Sequence, residues 1–368
     1  MRIVVLRERE VGEYRVALIP ESAAKLVKAG AEVVVEHDAG RAAGFPDRQY
    51  IAAGAQVTAS LDEAFRGAQI VLKVKPSLDE AGRFPSGSVL ISLFPVTSSA
   101  DLLAQLASRH VTVLGLERVP RITRAQSMDV LSSQATVAGY KAVLLGASTL
   151  PRLLPMMTTA AGSLTPGKVF VLGAGVAGLQ SIATARRLGA VVSAFDVRPA
   201  VKEQVQSLGA SFVAAEAMGA GDEEQGGYAR AQSEEEQART QAALANHIHD
   251  MDLVISTAAI PGKRAPVLIT EAMVGSMKAG SVIVDLAAEA GGNCALTRAG
   301  ETVVTADGVT ILGPVNLPAT MPLHASQMFS RNVFALLQHL ISKENQLVVD
   351  LDSEITGPMC LAHAGQIR

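Results

Sequence analysis

Tryptophan is absent from this chain, and aromatic residues of all kinds make up only 4% of its 368 residues. Its cores must therefore be aliphatic, which suits an α/β protein whose strands are near-continuous Val, Leu and Ala runs. Cysteine is scarce too. Cys294 and Cys360 are the only two and lie far apart in sequence. That spacing excludes a disulfide framework or a zinc-ligand set and suggests a reducing compartment. An excess of either charge is also lacking. The net charge is −3, so no basic field invites nucleic acid. No apolar run reaches the roughly 18 residues a membrane span needs. The nearest approach, residues 135–162, is broken by Lys141, Pro151, Arg152 and Pro155. The start, Met1-Arg2-Ile3-Val4-Val5-Leu6-Arg7, meets charge at once and has no secretory core.

What is present is enough chain for about two domains and their cores. Strands are predicted at residues 2–6, 32–36, 69–75, 88–93 and 111–114. Helices are predicted at 20–30 and near 98–108. A long helical run follows from about 132 to 150. A second series then begins: strand 168–172, helix 176–188, strand 190–195, helix 199–208, helix 234–248, strand 252–256, helix 268–278 and strand 281–285. Strands alternating with helices point to parallel sheets built from βαβ units. Residues 301–305 and 309–312 flank Ala306-Asp307-Gly308 and read as a hairpin. A last helix, about 326–342, carries Met328, Phe329, Val333, Leu336, Leu337 and Leu340 at helical spacing and reads as core. Residues 216–236 are acidic and glycine-rich, which predicts a mobile loop.

Two stretches carry chemistry. Gly173-x-Gly175-x-x-Gly178 stands between an apolar strand and a helix. There the first glycine permits a tight turn, the second lets backbone approach a pyrophosphate, and the third lets helix and strand pack closely. The helix N-terminus offers free N–H groups to the phosphates. Asp196 follows 18 residues after Gly178, at the tip of the next strand. An acid there accepts from the adenosine ribose hydroxyls and favours NAD over NADP. Arg198 nearby pulls the other way, since an arginine at this point can serve a 2′-phosphate.

The second stretch is residues 121–134, where two arginines, an aspartate, two glutamines and three serines stand in a chain only 18% charged. A bland reading makes it a solvated loop with Ser132 capping the next helix. Beside a nucleotide site, it reads as the group that orients the reactive end. A nicotinamide is held by its carboxamide, and Asp129 can accept from its amide while Arg121 donates to its oxygen. Ser132 and Gln126 add further bonds. No histidine of the seven falls in a recognisable catalytic context, and His247 and His249, two apart on a helix, make poor metal partners. Lys73 and Lys75, at a strand end, are either active-site groups or solvated termini.

Several segments carry a family resemblance. They are Arg-Val-Ala-Leu-Ile-Pro (15–20), Leu-Lys-Val-Lys-Pro (72–76), Arg-x-x-Arg-Ala-Gln-Ser-Met-Asp (121–129), Gly-Ala-Gly-Val-Ala-Gly (173–178) and Phe-Asp-Val-Arg-Pro (195–199). Gly-Gly-Tyr-Ala (226–229), Ile-Pro-Gly-Lys (260–263) and Val-Asp-Leu-Ala-Ala-Glu-Ala-Gly-Gly-Asn (284–293) add to them. Over residues 1–342 the chain resembles the NAD(H)-binding domain I in the alpha subunit of proton-translocating, Re/Si-specific NAD(P) transhydrogenases. Alanine dehydrogenases belong to the same superfamily.

The resemblance implies two Rossmann-like lobes with parallel sheets, joined by long helices, with the nucleotide in the cleft. One lobe would be discontinuous, 1–131 plus 320–368, and the other 132–319. It implies hydride transfer from NADH to NADP⁺ held on a partner's NADP-binding domain, coupled to proton movement by membrane subunits. Arg121, Gln126, Asp129 and Ser132 would meet the nicotinamide, with Gln126 also reaching toward the partner's NADP. Val176, Asp196 and Arg198 would hold the adenosine half. Gly227 and Tyr228 would lie on a loop that closes over the nucleotide. The hairpin near 295–312 resembles the family's dimer-forming element. The implied partners are a second copy of this chain, an NADP-binding beta subunit and a separate membrane-spanning portion of the alpha subunit. The implied location is cytoplasmic, peripheral on the inner membrane.

The chain departs from alanine dehydrogenase where that family has a catalytic histidine, since it reads Phe94-Pro95 there. It departs again where that family has an aspartate before Gly-Gly, since it reads Glu289-Ala290. Arg15 and Lys75, which in that family hold the substrate, are retained. An amino-acid dehydrogenase is therefore the rival reading, and a nucleotide sensor without chemistry is a third. Ala259 departs from the transhydrogenase pattern, which has leucine before Ile-Pro-Gly, and is expected to weaken nucleotide binding.

Overall fold

A computed structural model describes residues 1–94, 100–213, 239–259, 264–342 and 344–368 in full, and the backbone alone of 223–224, 228–229 and 234–238. The chain divides into two compact units, Met1–Gln134 with Pro318–Arg368, and Ala135–Leu317. It passes from the first to the second within helix Val130–Thr149 and returns between Leu317 and Pro318.

The first unit holds an eight-stranded sheet. From edge to edge the strands are Gln366–Ile367, Cys360–His363, Thr112–Gly115, Val89–Ser92, Ile70–Leu72, Arg2–Val5, Glu32–Glu36 and Gln56–Thr58. The last six are parallel. Arg2–Val5 sets Val4 beside Val34 on one side and Val71 on the other. Alternate residues leave by opposite faces. Ile3, Val5, Val35, Leu72 and Ile91 pack on one face with Phe329, Val333 and Leu336 of the final helix, Pro322–Leu340. Val4, Val34, Val71, Leu90 and Val113 pack on the other with Phe84, Leu102 and Leu106. The final helix starts earlier than the apolar spacing suggests because Pro322 sits in its first turn, where its missing N–H costs nothing.

The segment after that helix departs from the polar tail expected of it. Cys360–His363 runs antiparallel to Thr112–Gly115 and extends the sheet. Cys360, Leu361 and Ala362 are 3%, 4% and 0% exposed.

The second unit holds a seven-stranded sheet in the order Ser211–Phe212, Val191–Phe195, Lys168–Leu172, Leu253–Ser256, Val282–Asp285, Thr310–Leu312 and Thr302–Val304. All neighbours are parallel except the last pair, the hairpin expected around Asp307-Gly308. Both sheets are thus α/β sheets of mostly parallel strands, with antiparallel strands added at one edge. A second hairpin, Met157–Thr159 with Gly162–Leu164, was not foreseen, and all of its residues are exposed. Most of the acidic glycine-rich stretch lies outside the described residues. Within it Glu223–Glu224 and Tyr228–Ala229 pair antiparallel. Among the described residues no helix is long and apolar enough to cross a membrane.

Candidate functional site: a glycine turn and a polar cap

Strand Lys168–Leu172 ends in Gly173, whose φ of +91° turns the chain into helix Val176–Arg187. The three glycines differ in what confines them. A β-carbon on Gly178 would lie 1.8 Å from the carbonyl oxygen of Gly173, so only glycine lets the helix seat on the strand. A β-carbon on Gly173 would lie 2.7 Å from Oγ1 of Thr257. At Gly175, by contrast, a β-carbon would meet nothing within 4 Å. Its backbone is ordinary extended chain, φ −75°, and no side chain caps the helix that starts there. The fold therefore gives no reason for glycine at 175. An approaching ligand does, because the first-turn N–H groups lie open beyond it. Val176 stands in that first turn, 39% exposed.

Asp196 follows strand Val191–Phe195 and is buried. Its Oδ2 accepts from the N–H of Ala174 at 2.7 Å, which ties the strand tip to the glycine turn. Its Oδ1 accepts from the N–H of Arg198 at 2.8 Å. The Arg198 guanidinium lies side-on, Nε to Oδ1 and Nη2 to Oδ2, both at 2.9 Å. A carboxylate has about four acceptor positions, and these bonds use them all. The expected free acceptor for ribose hydroxyls is thus saturated within the chain, and a hydroxyl reaches it only by displacing Arg198.

The polar stretch lies in the first unit. Thr123–Met128 forms a 3-10 turn anchored by buried Ala125 and Met128, while Arg121, Gln126 and Ser127 are exposed. Helix Val130–Thr149 is capped by Asp129 rather than by Ser132. Asp129 Oδ1 accepts from the N–H of Ser132 at 2.9 Å, and Oδ2 from its hydroxyl at 2.5 Å. So Asp129 and Ser132 are brought together, and each Asp129 oxygen keeps room for another donor.

The final helix, read from sequence as core, also pins this region. Asn332 Nδ2 donates to the carbonyl of Ser127 at 2.7 Å. Ser326 and Ser330 accept from the N–H groups of Val16 and Ile19, each at 3.0 Å. Gln134 donates to the carbonyl of Ala325 at 3.1 Å and accepts from Arg15 Nη1 at 2.8 Å. Arg15 is buried against Glu13, Nη2 to Oε2 at 2.6 Å.

Lys73 is no solvated terminus. It is fully buried and ion-paired to Glu80, which also meets Arg9. Glu8 accepts from the N–H groups of Val74 at 2.7 Å and Lys75 at 3.1 Å. Burial pushes its carboxyl up to about 7, against the opposing pull of Lys73. Lys75 Nζ lies 3.6 Å from Glu10. Phe94 is buried and donates its N–H to Glu117 at 2.9 Å, a carboxyl that burial also pushes up.

One cluster escaped the sequence reading. Asp285 is fully buried and accepts from Ser256, Ala287, Asn293, Cys294 and Thr297, at 2.7 to 3.0 Å. Asn293 in turn accepts from the N–H of Ala258 at 3.0 Å and donates to its carbonyl at 2.8 Å. The pair clasps the segment that leads into exposed Ala259. The signal was there, an acid at a strand end followed by Gly291-Gly292-Asn293, but its partners are backbone groups that a sequence does not display. Gly227 and residues 260–263 lie outside the described residues. Only the backbone of Tyr228 is described. Among the described residues His37, Asp38 and Asp47 stand close enough to share an ion, but His37 is exposed and already bonded to Asp47 at 2.6 Å.

The family description "Alanine dehydrogenase/PNT, N-terminal domain" matches residues 4–138, and its C-terminal counterpart matches 142–368. The chain belongs to the alanine dehydrogenase/PNT family. Within the family, the chain is 45% identical over 376 aligned residues to a Rhodospirillum rubrum protein, the first of the separate polypeptides that make up its NAD(P) transhydrogenase subunit alpha, covering 100% of this chain and 97% of that one. It is 30% identical to an alanine dehydrogenase of Halomonas elongata, covering 93% of this chain and 88% of the relative. The solved transhydrogenase of Sinorhizobium meliloti superposes with a TM-score of 0.90 at 42% identity, covering 100% of both chains. The likeness thus leans to the transhydrogenase side of the family.

Proposed function

We propose that this chain is the NAD(H)-binding subunit of a proton-translocating transhydrogenase, the first polypeptide of a divided alpha subunit. It takes NADH and passes hydride to NADP⁺ held on an NADP-binding beta subunit. A separate membrane-spanning alpha polypeptide and the beta subunit couple the transfer to proton movement. The observation that carries this reading is Phe94. Oxidising an amino acid requires a group that takes up a proton as hydride leaves. Exchange of hydride between two nicotinamides moves one hydrogen with its electron pair and requires no proton at the reacting carbons. A buried phenyl group, its backbone tied to Glu117, serves the second chemistry and not the first.

In this reading Gly173, Gly175 and Gly178 admit the pyrophosphate to the start of helix Val176–Arg187. Val176, Asp196 and Arg198 hold the adenosine half, with Arg198 yielding some of its bonding to Asp196. Arg121, Gln126, Asp129 and Ser132 orient the nicotinamide carboxamide, and Gln126 faces the partner's nucleotide. Gly227 and Tyr228 close over the bound dinucleotide, and Ala259 lines it. The two compact units correspond to the family's two lobes. The chain works as a homodimer through the hairpin near 295–312, peripheral on the cytoplasmic face of the inner membrane.

The purified chain, NADH and two acceptors in parallel test the reading. One acceptor is NADP⁺ bound to a transhydrogenase NADP-binding domain, and the other is pyruvate with ammonium. Oxidation of NADH by the first alone is the expected result. Reductive amination of pyruvate would transfer the chemistry to Arg15 and Lys75 and make this an amino-acid dehydrogenase.

A further inference from the structure

The final helix carries one polar side chain whose bonding is incomplete. Asn332 is 9% exposed and makes a single hydrogen bond, from Nδ2 to the Ser127 carbonyl at 2.7 Å. Its Oδ1 is buried and has no partner. An unpaired buried acceptor is destabilising, and each one in a native structure asks for a reason. Exchanging the amide oxygen and nitrogen offers no relief, since it would set two acceptors against each other at 2.7 Å. Nor does the helix call for asparagine. The residue is a weak helix former in a helix interior, among core neighbours Phe329, Val333 and Leu336. Leucine would pack and propagate the helix better.

The one bond it makes falls on a sensitive atom. Ser127 lies between Gln126 and Asp129, and Met128 after it is buried. Fixing the Ser127 carbonyl fixes the peptide plane that joins it to Met128. With Met128 anchored in the core, that plane sets where Gln126 and the Asp129 cap stand relative to each other. We propose that Asn332 is a positioning residue for hydride transfer: its amide holds the Ser127 carbonyl and thereby the geometry of the Gln126–Asp129 stretch, without touching the nucleotide. The proposal rests on the reading of residues 121–132 as the nicotinamide-orienting stretch.

Asn332→Asp is close to isosteric and turns the donor into a titratable group. Ionised, it opposes the Ser127 carbonyl. Protonated, it can donate to it again. Burial in this apolar helix face raises the carboxyl's pKa, so recovery falls where the protein is folded. Two quantities are followed across pH in parent, Asn332→Asp and Asn332→Leu. One is NADH affinity, by nucleotide fluorescence. The other is the single-turnover rate of hydride transfer to NADP⁺ on a transhydrogenase NADP-binding domain.

The expected result is a rate loss of about tenfold for Asn332→Asp at neutral pH, recovering as pH falls, with NADH affinity changed less than twofold. Asn332→Leu keeps the packing and should lose rate at every pH. A rate equal to the parent's in both variants overturns the proposal. Rate and affinity lost in equal proportion, with no acid recovery, also overturns it. A parent that binds NADH but transfers no hydride overturns the functional reading, and this proposal with it.

Discussion

Replacing Gly175 with alanine separates the needs of the fold from those of the ligand. In the free chain the new methyl meets nothing within 4 Å, and φ of −75° suits alanine. Alanine at an N-cap is worse than glycine by a few tenths to about 1 kcal/mol. Its lower entropy in the unfolded chain returns about 0.4–1 kcal/mol. The terms offset, so the variant should melt within about 2 °C of the parent. Binding is another matter. The methyl would stand where a phosphate approaches the open N–H groups of helix Val176–Arg187. Losing one hydrogen bond to a charged group there costs about 1.5–3 kcal/mol, which converts to roughly ten- to hundredfold weaker NADH affinity.

Gly178→Ala is the contrast. Its methyl would sit 1.8 Å from the Gly173 carbonyl, so the turn must open and stability should fall by about 3 kcal/mol or more. Melting curves with and without NADH, beside a fluorescence titration, read both quantities. If Gly175→Ala binds NADH as the parent does, no anion passes that glycine and the nucleotide reading of the turn is wrong. If it unfolds like Gly178→Ala, the glycine serves the fold alone.

Asp129→Asn should leave helix Val130–Thr149 capped, since asparagine caps nearly as well. It should slow hydride transfer far more than it weakens NADH binding, and equal losses in a single-turnover and equilibrium comparison would remove the positioning role. Glu8 is raised from 4.5 to about 7, mainly by burial and against the pull of Lys73, so the folded chain holds that proton more tightly than the unfolded one. Its contribution is therefore complete below pH 4.5 and lost as pH rises to about 7, at most about 3 kcal/mol. Relative to the parent, Glu8→Gln should gain stability across that window in denaturant titrations, and parallel curves would count against the burial argument. Ala259→Leu should tighten NADH binding roughly fivefold by covering more of the nucleotide, and an unchanged titration would show that position 259 does not face it.

Where the sequence spoke clearly, short-range physics decided the outcome. Val169–Leu172 and Val282–Val284 are unbroken aliphatic runs with both sheet faces to fill, so their strands and the intervening helices are evident from pattern. The turn at 173–178 is legible because two of its glycines answer to steric limits a few residues away. What stayed hidden depends on partners distant in the chain. Cys360–His363 looks polar in isolation and is buried only because it pairs with Thr112–Gly115, about 250 residues earlier. Lys73 looks like a strand end meeting water until helix Leu78–Ala81 brings Glu80 over it. Asp196 reads as a ribose acceptor because the sequence cannot say that Arg198 folds back onto both its oxygens. Asn332 is masked by its apolar neighbours, since helical spacing reports which face is buried and not which amide is needed there.

The first unit is interrupted in sequence by the whole of the second, between Gln134 and Pro318. Its own sheet and core wait for the final helix and for strand Cys360–His363, the last pieces a ribosome delivers. Until they arrive, Ile3, Val5, Leu72 and Ile91 have one face uncovered. The inserted unit has every strand of its sheet by Leu312 and can finish first. Vectorial synthesis should thus yield an intermediate with a complete glycine turn and an open, aggregation-prone aliphatic face, the state a chaperone would meet.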